Sequence, residues 1–222
     1  MTPGTEPPQI PEDPVEKAWH IPALLALFGL CLLPELVLSG ADWGLWGSPR
    51  WRMRALQYAG FWAGLLDNWR PHYALQPGTM FLTYGFLHAG ALHFAVNMAT
   101  LFSLGPSLIG RFGQRWFLLL YALSILGGAI GFALLSSQVQ PMVGASGALF
   151  GLAGAHVGLH ARERRHTKDT LVPVAKAVLG LMALNLVLWW AMNGQLAWET
   201  HLGGFVAGWI AAVVIDRRLG PL

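Results

Sequence analysis

Charged residues are scarce in this chain of 222 residues. Asp, Glu, Lys and Arg together make up 11% of it, whereas about 25% is typical of a soluble domain. The scarcity is also uneven, because four long stretches contain none of these residues: 71–110, 116–161, 177–198 and 200–215. A soluble surface cannot be built from such stretches. The composition therefore excludes a soluble enzyme, a nucleic-acid-binding module and a disordered protein.

Cysteine is nearly absent as well. With Cys31 alone, an intrachain disulfide cannot form, and the cysteine content gives no information on the redox compartment. The first 17 residues are rich in proline and acidic residues, and they lack the basic start that is typical of a cleaved signal peptide. We therefore expect residues 1–17 to form a disordered, Pro-rich cytoplasmic tail, followed by an uncleaved first helix.

Apolar sequence is what the chain has in abundance. A helix needs about 20 apolar residues to cross a bilayer, and the apolar runs predict six spans, at about residues 20–39, 87–104, 116–135, 146–161, 171–192 and 197–215. We expect Pro34 to bend or end the first span, and Gly105 with Pro106 to end the second. The predicted fold class is an all-α polytopic membrane protein. Its six-helix membrane domain covers residues 18–218, with a C-terminal tail at 219–222.

The basic residues predict the orientation of these spans. Lys and Arg are enriched in cytoplasmic loops, and here they follow the second, fourth and sixth spans but are absent after the third and fifth. This pattern predicts an N-in, C-in topology, and it accounts for the net charge of +3 without a nucleic-acid partner. The long first loop, 40–81, holds four arginines and five tryptophans, residue types that favour the membrane–water interface.

Polar residues on three different spans fall at one predicted depth. Counting back from the cytoplasmic arginines places Ser146 and His201 about 24 Å, and Asn97 about 21 Å, into a hydrocarbon core about 30 Å thick. Ser146 begins the fourth span, where free N–H groups and the positive helix end suit an oxyanion. His93 and Asn97 share one face of the second span. A nucleophile, a base and hydrogen-bond donors at one level indicate a hydrolase with a water-filled cavity.

This chain lacks the residues that define two other kinds of intramembrane protease, the aspartic and the zinc proteases. No aspartate lies in the predicted spans, and no His-Glu-x-x-His zinc motif occurs. Glycines repeat at helical spacing on the fourth and sixth spans, and small residues let membrane helices approach closely. These two spans can therefore lie backbone to backbone.

From about residue 76 to residue 208 the sequence resembles the rhomboid family of intramembrane serine proteases. The resemblance rests on Gly-Ala-Ser-Gly at 144–147, on His-x4-His-x3-Asn at 88–97 and on His-x2-Gly-x3-Gly at 201–208. It implies a six-helix rhomboid-like bundle that hydrolyses membrane proteins in or near their transmembrane segments. The implied partners are transmembrane substrates and the lipid bilayer, with no cofactor or metal. The implied location is the plasma (inner) membrane of a bacterium.

The resemblance also implies roles for individual residues. Ser146 is the nucleophile and His201 the general base of a dyad, and the oxyanion hole consists of His93, Asn97 and the Ser146 backbone N–H. Phe150 stands where the family often has a tyrosine packed on the catalytic histidine. The remaining motif residues have supporting roles: His88, Gly144, Gly147, Gly204 and Gly208.

The sequence departs from the family pattern at two places. Thr79 and Met80 stand where the family often has a Trp-Arg pair in the first loop, and Ile109 replaces a common glutamate after the second span. Neither position belongs to the proposed chemistry. We expect the first loop to be arranged differently from that of other family members.

Two alternative functions remain. The first is a haem- or metal-binding membrane protein that uses the histidine pairs His88/His93 and His156/His160, the second of which has the i, i+4 spacing of helical ligands. The second is a catalytically inactive rhomboid-like protein that binds membrane helices. The presence of both Ser146 and His201 argues against it.

Overall fold

The structure is a computed structural model that describes residues 22–220, so the predicted tail at 1–17 and the last two residues of the chain lie outside it. Within that range the secondary structure is helical and no named strand occurs. The α-helices of the described residues are α1 (Pro22–Asp42), α2 (Arg50–Ala59), α3 (Gln76–Thr83), α4 (Ala91–Phe112), α5 (Gln114–Leu135), α6 (Ser146–His166), α7 (Val172–Ala191) and α8 (Trp198–Leu219). Short 3₁₀ helices at Ala63–Leu66 and Tyr84–Phe86 flank α3.

Five of these helices are long and apolar enough to cross a membrane: α1, α4, α5, α7 and α8. They confirm the prediction of an all-helical, multi-pass membrane protein. The sixth long helix, α6, is less apolar, because it carries four glycines and ends in a run of charged residues. The structure therefore supports five spans by length and composition, and the fourth predicted span corresponds to α6, the most polar of the long helices.

One prediction about a helix end is wrong, because α4 continues past Pro106 to Phe112. α1 also continues through its proline, Pro34, and ends at Asp42, close to the predicted end at residue 39. A proline removes one backbone N–H from the helix, and packing against neighbouring helices can compensate for the loss inside a membrane. At this turn of α4 the compensation is close packing, since a Cβ added at Gly105 would lie 2.5 Å from Leu24 of α1. The helix that carries His93 and Asn97 is therefore longer than its sequence suggested.

The basic segment after the fourth predicted span is also helical rather than a loop. α6 runs on to His166, so Arg162 lies in the helix and forms an ion pair with Asp216 of α8. Arg111 of α4 binds the same carboxylate from another side, with Nη2 and Oδ1 2.8 Å apart. One acidic residue thus joins three helices at the end of the bundle that is remote from Ser146.

The long first loop folds into short helices instead of forming an extended connection. It contains α2, a 3₁₀ helix and most of α3. Phe61 forms an isolated antiparallel bridge with Met142 in the connection before α6, and both residues are buried. The loop is therefore anchored next to the helix that begins at Ser146.

Glycines set the packing at the centre of the bundle, where α8 lies between α5 and α6. A Cβ added at Gly204 or Gly208 of α8 would lie 1.9 or 2.0 Å from a backbone oxygen of α6, that of Gly147 or of Gly151. On the other side of α8, Gly203 lies against the backbone of Gly127 in α5. The fourth and sixth predicted spans do lie backbone to backbone. By contrast, Val174 alone among the described residues of α7 is buried.

We expect Gly208→Ala to destabilise the protein, because the new methyl group would collide with the Gly151 backbone and separate α6 from α8. Overpacking of this kind costs about 1–3 kcal/mol, which a lower Tm in detergent would reveal. The matched control is Gly180→Ala on α7, where an added Cβ has no neighbour within 4 Å. Equal Tm values for the two variants would contradict the proposed close packing.

Candidate active site

Ser146 and His201 lie within hydrogen-bond distance of each other. Ser146 is the first residue of α6 and His201 is in the first turn of α8, and the distance from Ser146 Oγ to His201 Nε2 is 2.9 Å. Their backbones are brought close because Gly147, the residue after Ser146, packs on Gly204, one turn after His201. The two residues that the depth count placed at one level are therefore neighbours, and a serine hydroxyl faces an imidazole that can accept its proton.

The imidazole of His201 is held on its other sides as well. The Phe150 ring stacks on it, with ring centroids 4.1 Å apart and an interplanar angle of 5°. The second ring nitrogen, Nδ1, lies 2.6 Å from Asn185 Oδ1 of α7. Phe150 was expected beside the histidine, whereas no role was predicted for Asn185. The available signal was an amide side chain within the uncharged stretch 177–198.

Of the two side chains predicted for the oxyanion hole, His93 lies next to the serine. Gly144 has a φ of +125°, and a Cβ added there would lie 2.7 Å from His93 Cε1 and 3.8 Å from Ser146 Oγ. Asn97 is buried and its Nδ2 donates to the backbone oxygen of His93 at 2.8 Å. One amide hydrogen of Asn97 is therefore donated within its own helix, and the second is available to another acceptor.

His88 is packed behind His93. It is 1% exposed, and neither ring nitrogen has a hydrogen-bond partner among the described residues. Its ring meets His93 edge to face, with centroids 5.2 Å apart, and the backbone N–H of Ala89 donates to His93 Nδ1 at 3.4 Å. The segment from His88 to Ala89 thus positions the His93 ring from behind.

A partly buried arginine of the first loop fixes that segment, although no role was predicted for it. Arg52 donates to the backbone oxygen of His88 at 2.8 Å and to both oxygens of Glu35, at 2.9 and 3.0 Å. It also binds Asp42 at 2.5 Å and Ser39 Oγ at 3.1 Å. Burial alone would lower the pKa of Arg52, but its hydrogen bonds to Glu35 and Asp42 outweigh that effect and raise it. The charged guanidinium therefore links α1, α2 and the start of α4.

The structure gives the surroundings of the residues that depart from the family pattern. Met80 is fully buried, Thr79 Oγ1 shares a hydrogen bond with the Tyr73 hydroxyl at 2.6 Å, and Ile109 belongs to the apolar core. None of these residues reaches the site described above. Arg52, twenty-eight residues before Met80 in the sequence, is the guanidinium that organises this first loop.

An apolar cavity of about 470 Å³ opens beside the histidine, between α6, α7 and α8. Its polar lining residues are His201 and Asn185, and large apolar side chains such as Phe150, Trp189 and Trp198 form the rest. Such a cavity has the size of a ligand site. It has room for an apolar side chain next to His201.

The histidine pairs considered for a metal do not come together with further ligands. In residues 22–220 no group of three His, Cys, Asp or Glu residues has the geometry to hold a metal ion. His156 already bonds with both ring nitrogens, to Ser107 Oγ at 2.7 Å and to the Leu152 backbone oxygen at 2.9 Å. His88 differs from His156, because both of its ring nitrogens lack a hydrogen-bond partner among the described residues. Its ring packs against His93.

Comparisons with known proteins agree with these motifs. A family model described as the rhomboid domain matches residues 76–218, well over half of the chain. "RHOMBOID-like protein 5" of Arabidopsis thaliana is 34% identical over 60% of this chain and 42% of its own length. "Rhomboid protease GluP" of Bacillus subtilis is 31% identical over 60% of this chain and 25% of its own. "Putative rhomboid protease YdcA" of the same bacterium is 33% identical over 60% of this chain and 66% of its own. The match thus spans between a quarter and two thirds of these relatives.

We expect Arg52→Met to destabilise the fold, since Glu35 is 4% exposed and would lose its partner. Removing one partner of a buried ion pair costs of order 3 kcal/mol, measurable as a lower Tm. Arg54→Met is the matched control, because Arg54 lies exposed on the same helix. A double variant Arg52→Met with Glu35→Met should recover part of the loss, and failure to recover would show that the ion pair is not the cause.

Proposed function

Because the chain belongs to the rhomboid family, we propose that it is an intramembrane serine endopeptidase with a Ser146–His201 dyad. The observation that carries this proposal is the 2.9 Å contact between Ser146 Oγ and His201 Nε2. A serine at a helix N-terminus with an imidazole at its hydroxyl is the arrangement that nucleophilic acyl transfer requires.

The proposed reaction has two steps. Ser146 Oγ attacks the carbonyl carbon of a peptide bond while His201 Nε2 takes the hydroxyl proton, and the bond to the leaving nitrogen breaks as His201 returns that proton to the amine. Water then attacks the acyl-enzyme with His201 again as base, which releases the new carboxylate and restores the serine. The stacked Phe150 keeps the imidazole in plane through both steps.

Stabilisation of the oxyanion is assigned to groups around Ser146. The backbone N–H of Ser146 lies at the start of α6, where the helix dipole favours negative charge. The His93 ring lies beside Gly144 and Ser146, and the second amide hydrogen of Asn97 supplies a further donor. Donors of this kind act in the transition state and raise kcat. The glycines at 144, 147, 204 and 208 support the site by close backbone packing, and His88 supports the His93 ring.

The proposed architecture has six spans, with α6 as the central one, inside a membrane domain at residues 18–218. Both ends of the chain are proposed to face the cytoplasm, where the basic ends of α4, α6 and α8 then lie. Two of the matched relatives come from a bacterium, which supports the bacterial plasma membrane as the location.

The proposed substrates are transmembrane proteins cut in or near a membrane-spanning helix. A helical backbone hides its carbonyls in hydrogen bonds, so the scissile segment must unwind before Ser146 can attack. The apolar cavity beside His201 suits the side chain of such a segment. The proposal includes neither a cofactor, a metal nor a nucleic-acid partner.

We expect Ser146→Ala and His201→Ala each to abolish cleavage of a membrane-protein substrate in liposomes and labelling by a serine-directed fluorophosphonate. Since the two side chains act as a unit, the double variant should be scarcely worse than either single one. Ser107→Ala is the control, because that hydroxyl bonds to His156 away from the site. Labelling that persists in folded Ser146→Ala protein, or an unlabelled wild type, would contradict the proposal.

We expect a reporter fused after Arg165 to lie on the cytoplasmic side and a reporter inserted at residues 136–140 to lie on the outer side. The physical reason is the preference of arginine-rich helix ends for the cytoplasm. Enzymatic reporters active on one side of the membrane only would measure both. The reverse pattern would overturn the N-in, C-in topology and leave the dyad unaffected.

A further inference from the structure

Asn185 is a polar residue in the middle of a helix whose other residues are apolar except for Lys176 and mostly exposed. α7 contains one amide side chain among residues such as Leu184, Leu186 and Val187. An amide in hydrocarbon without a partner is costly, so its place in the structure needs a reason. The structure supplies a single partner, the Nδ1 atom of His201 at 2.6 Å.

The chemistry of this contact selects one tautomer of the histidine. A carbonyl oxygen can only accept a hydrogen bond, so the Oδ1 atom of Asn185 requires a proton on Nδ1 of His201. A neutral imidazole carries one proton, and the hydrogen bond made by one ring nitrogen decides which nitrogen holds it. With Nδ1 protonated, Nε2 presents a lone pair to Ser146 Oγ at 2.9 Å. This is the tautomer that a general base needs.

Asn185 also completes the fixation of the ring in space. Phe150 fixes the plane of the imidazole by stacking, but stacking leaves the ring free to rotate within that plane. Two hydrogen bonds on opposite ring nitrogens, to Ser146 and to Asn185, remove this rotation. The second bond crosses from α8 to α7 at the edge of the apolar cavity, where water does not compete well for either group.

We propose that Asn185 is a positioning residue that holds His201 in the Nδ1–H tautomer and thereby makes it a base toward Ser146. This inference rests on the proposed function and extends its dyad by a third residue on a separate helix. Asn185 itself touches neither the substrate carbonyl nor the nucleophile. Its effect passes through His201 alone.

Two variants at position 185 and one control separate this role from a structural one. Asn185→Asp keeps the shape and can only accept from Nδ1, and Asn185→Leu keeps the size without any acceptor. Leu184→Ala is the control on the same helix, because Leu184 is exposed and does not line the cavity. The probe is a serine-directed fluorophosphonate on the full chain in detergent, with the maximal labelling rate and the half-saturating concentration measured separately.

Asn185→Leu should slow maximal labelling about 10- to 100-fold, the cost typical of losing a group that orients a functional histidine, with an unchanged half-saturating concentration. Asn185→Asp and Leu184→Ala should stay close to wild type. Wild-type rates for Asn185→Leu would overturn the proposal. So would equal losses for Asp and Leu, because Asp keeps the acceptor oxygen and the loss would then follow from the missing amide N–H.

The tautomer can be read without activity by ¹⁵N NMR of histidine-labelled protein, with the His201 signals assigned by their loss in His201→Ala. We expect a protonated Nδ1 in the wild type and in Asn185→Asp, and loss of that preference in Asn185→Leu. A wild-type His201 protonated on Nε2 would overturn the proposal. If the wild type is not labelled, or if Ser146→Ala still is, the proposed function fails, and the NMR result still decides the role of Asn185.

Discussion

The backbone contact between α6 and α8 is the constraint on which the rest of the site depends. Gly204 and Gly208 of α8 lie so close to the carbonyl oxygens of Gly147 and Gly151 that no side chain fits between them. At this separation the first residue of α6 and a residue in the first turn of α8 face each other across one hydrogen bond. Van der Waals packing of small residues holds membrane helices together where no hydrophobic driving force acts between them. The backbone packing of α6 on α8 thus determines the relative position of Ser146 and His201.

Several polar groups inside this bundle form satisfied sets that join different helices. Arg52 with Glu35 joins the first loop to α1, and Asp216 with its two arginines joins α4, α6 and α8. An exception among the described residues is Glu199, which is buried with one carboxylate oxygen unpartnered. In a medium that supplies few alternative partners, each satisfied set also determines which helices are neighbours. Arg52 is an example, since it binds both Glu35 of α1 and the backbone oxygen of His88, and thereby fixes the segment from His88 to His93 relative to α1.

The sequence predicted the features that depend on composition and on local spacing. The helical membrane class and the rhomboid family are confirmed, and the equal depth of Ser146 and His201 follows from counting residues along two straight helices. The predicted end of α4 was wrong because local rules treat a proline as a stop, whereas tertiary packing such as that of Gly105 on Leu24 accompanies a helix that continues through it. Arg52 and Asn185 were missed because their partners lie on other helices, at distances along the chain that no motif records. The roles of the site residues remain predictions.

Because few side chains of α7 are buried, the surrounding lipid is in direct contact with the helix that forms one wall of the cavity. Val174 is the one described residue of that helix with a buried side chain, and the cavity beside His201 is bounded on one side by α7. Acyl chains therefore press on the outer face of that wall, where a soluble protein would have a further layer of side chains. The thickness of the bilayer and the order of its acyl chains therefore influence the cavity volume, as temperature or pressure does in a soluble protein. Two preparations of the same chain in different detergents would then differ in the shape of the pocket while sharing every covalent bond.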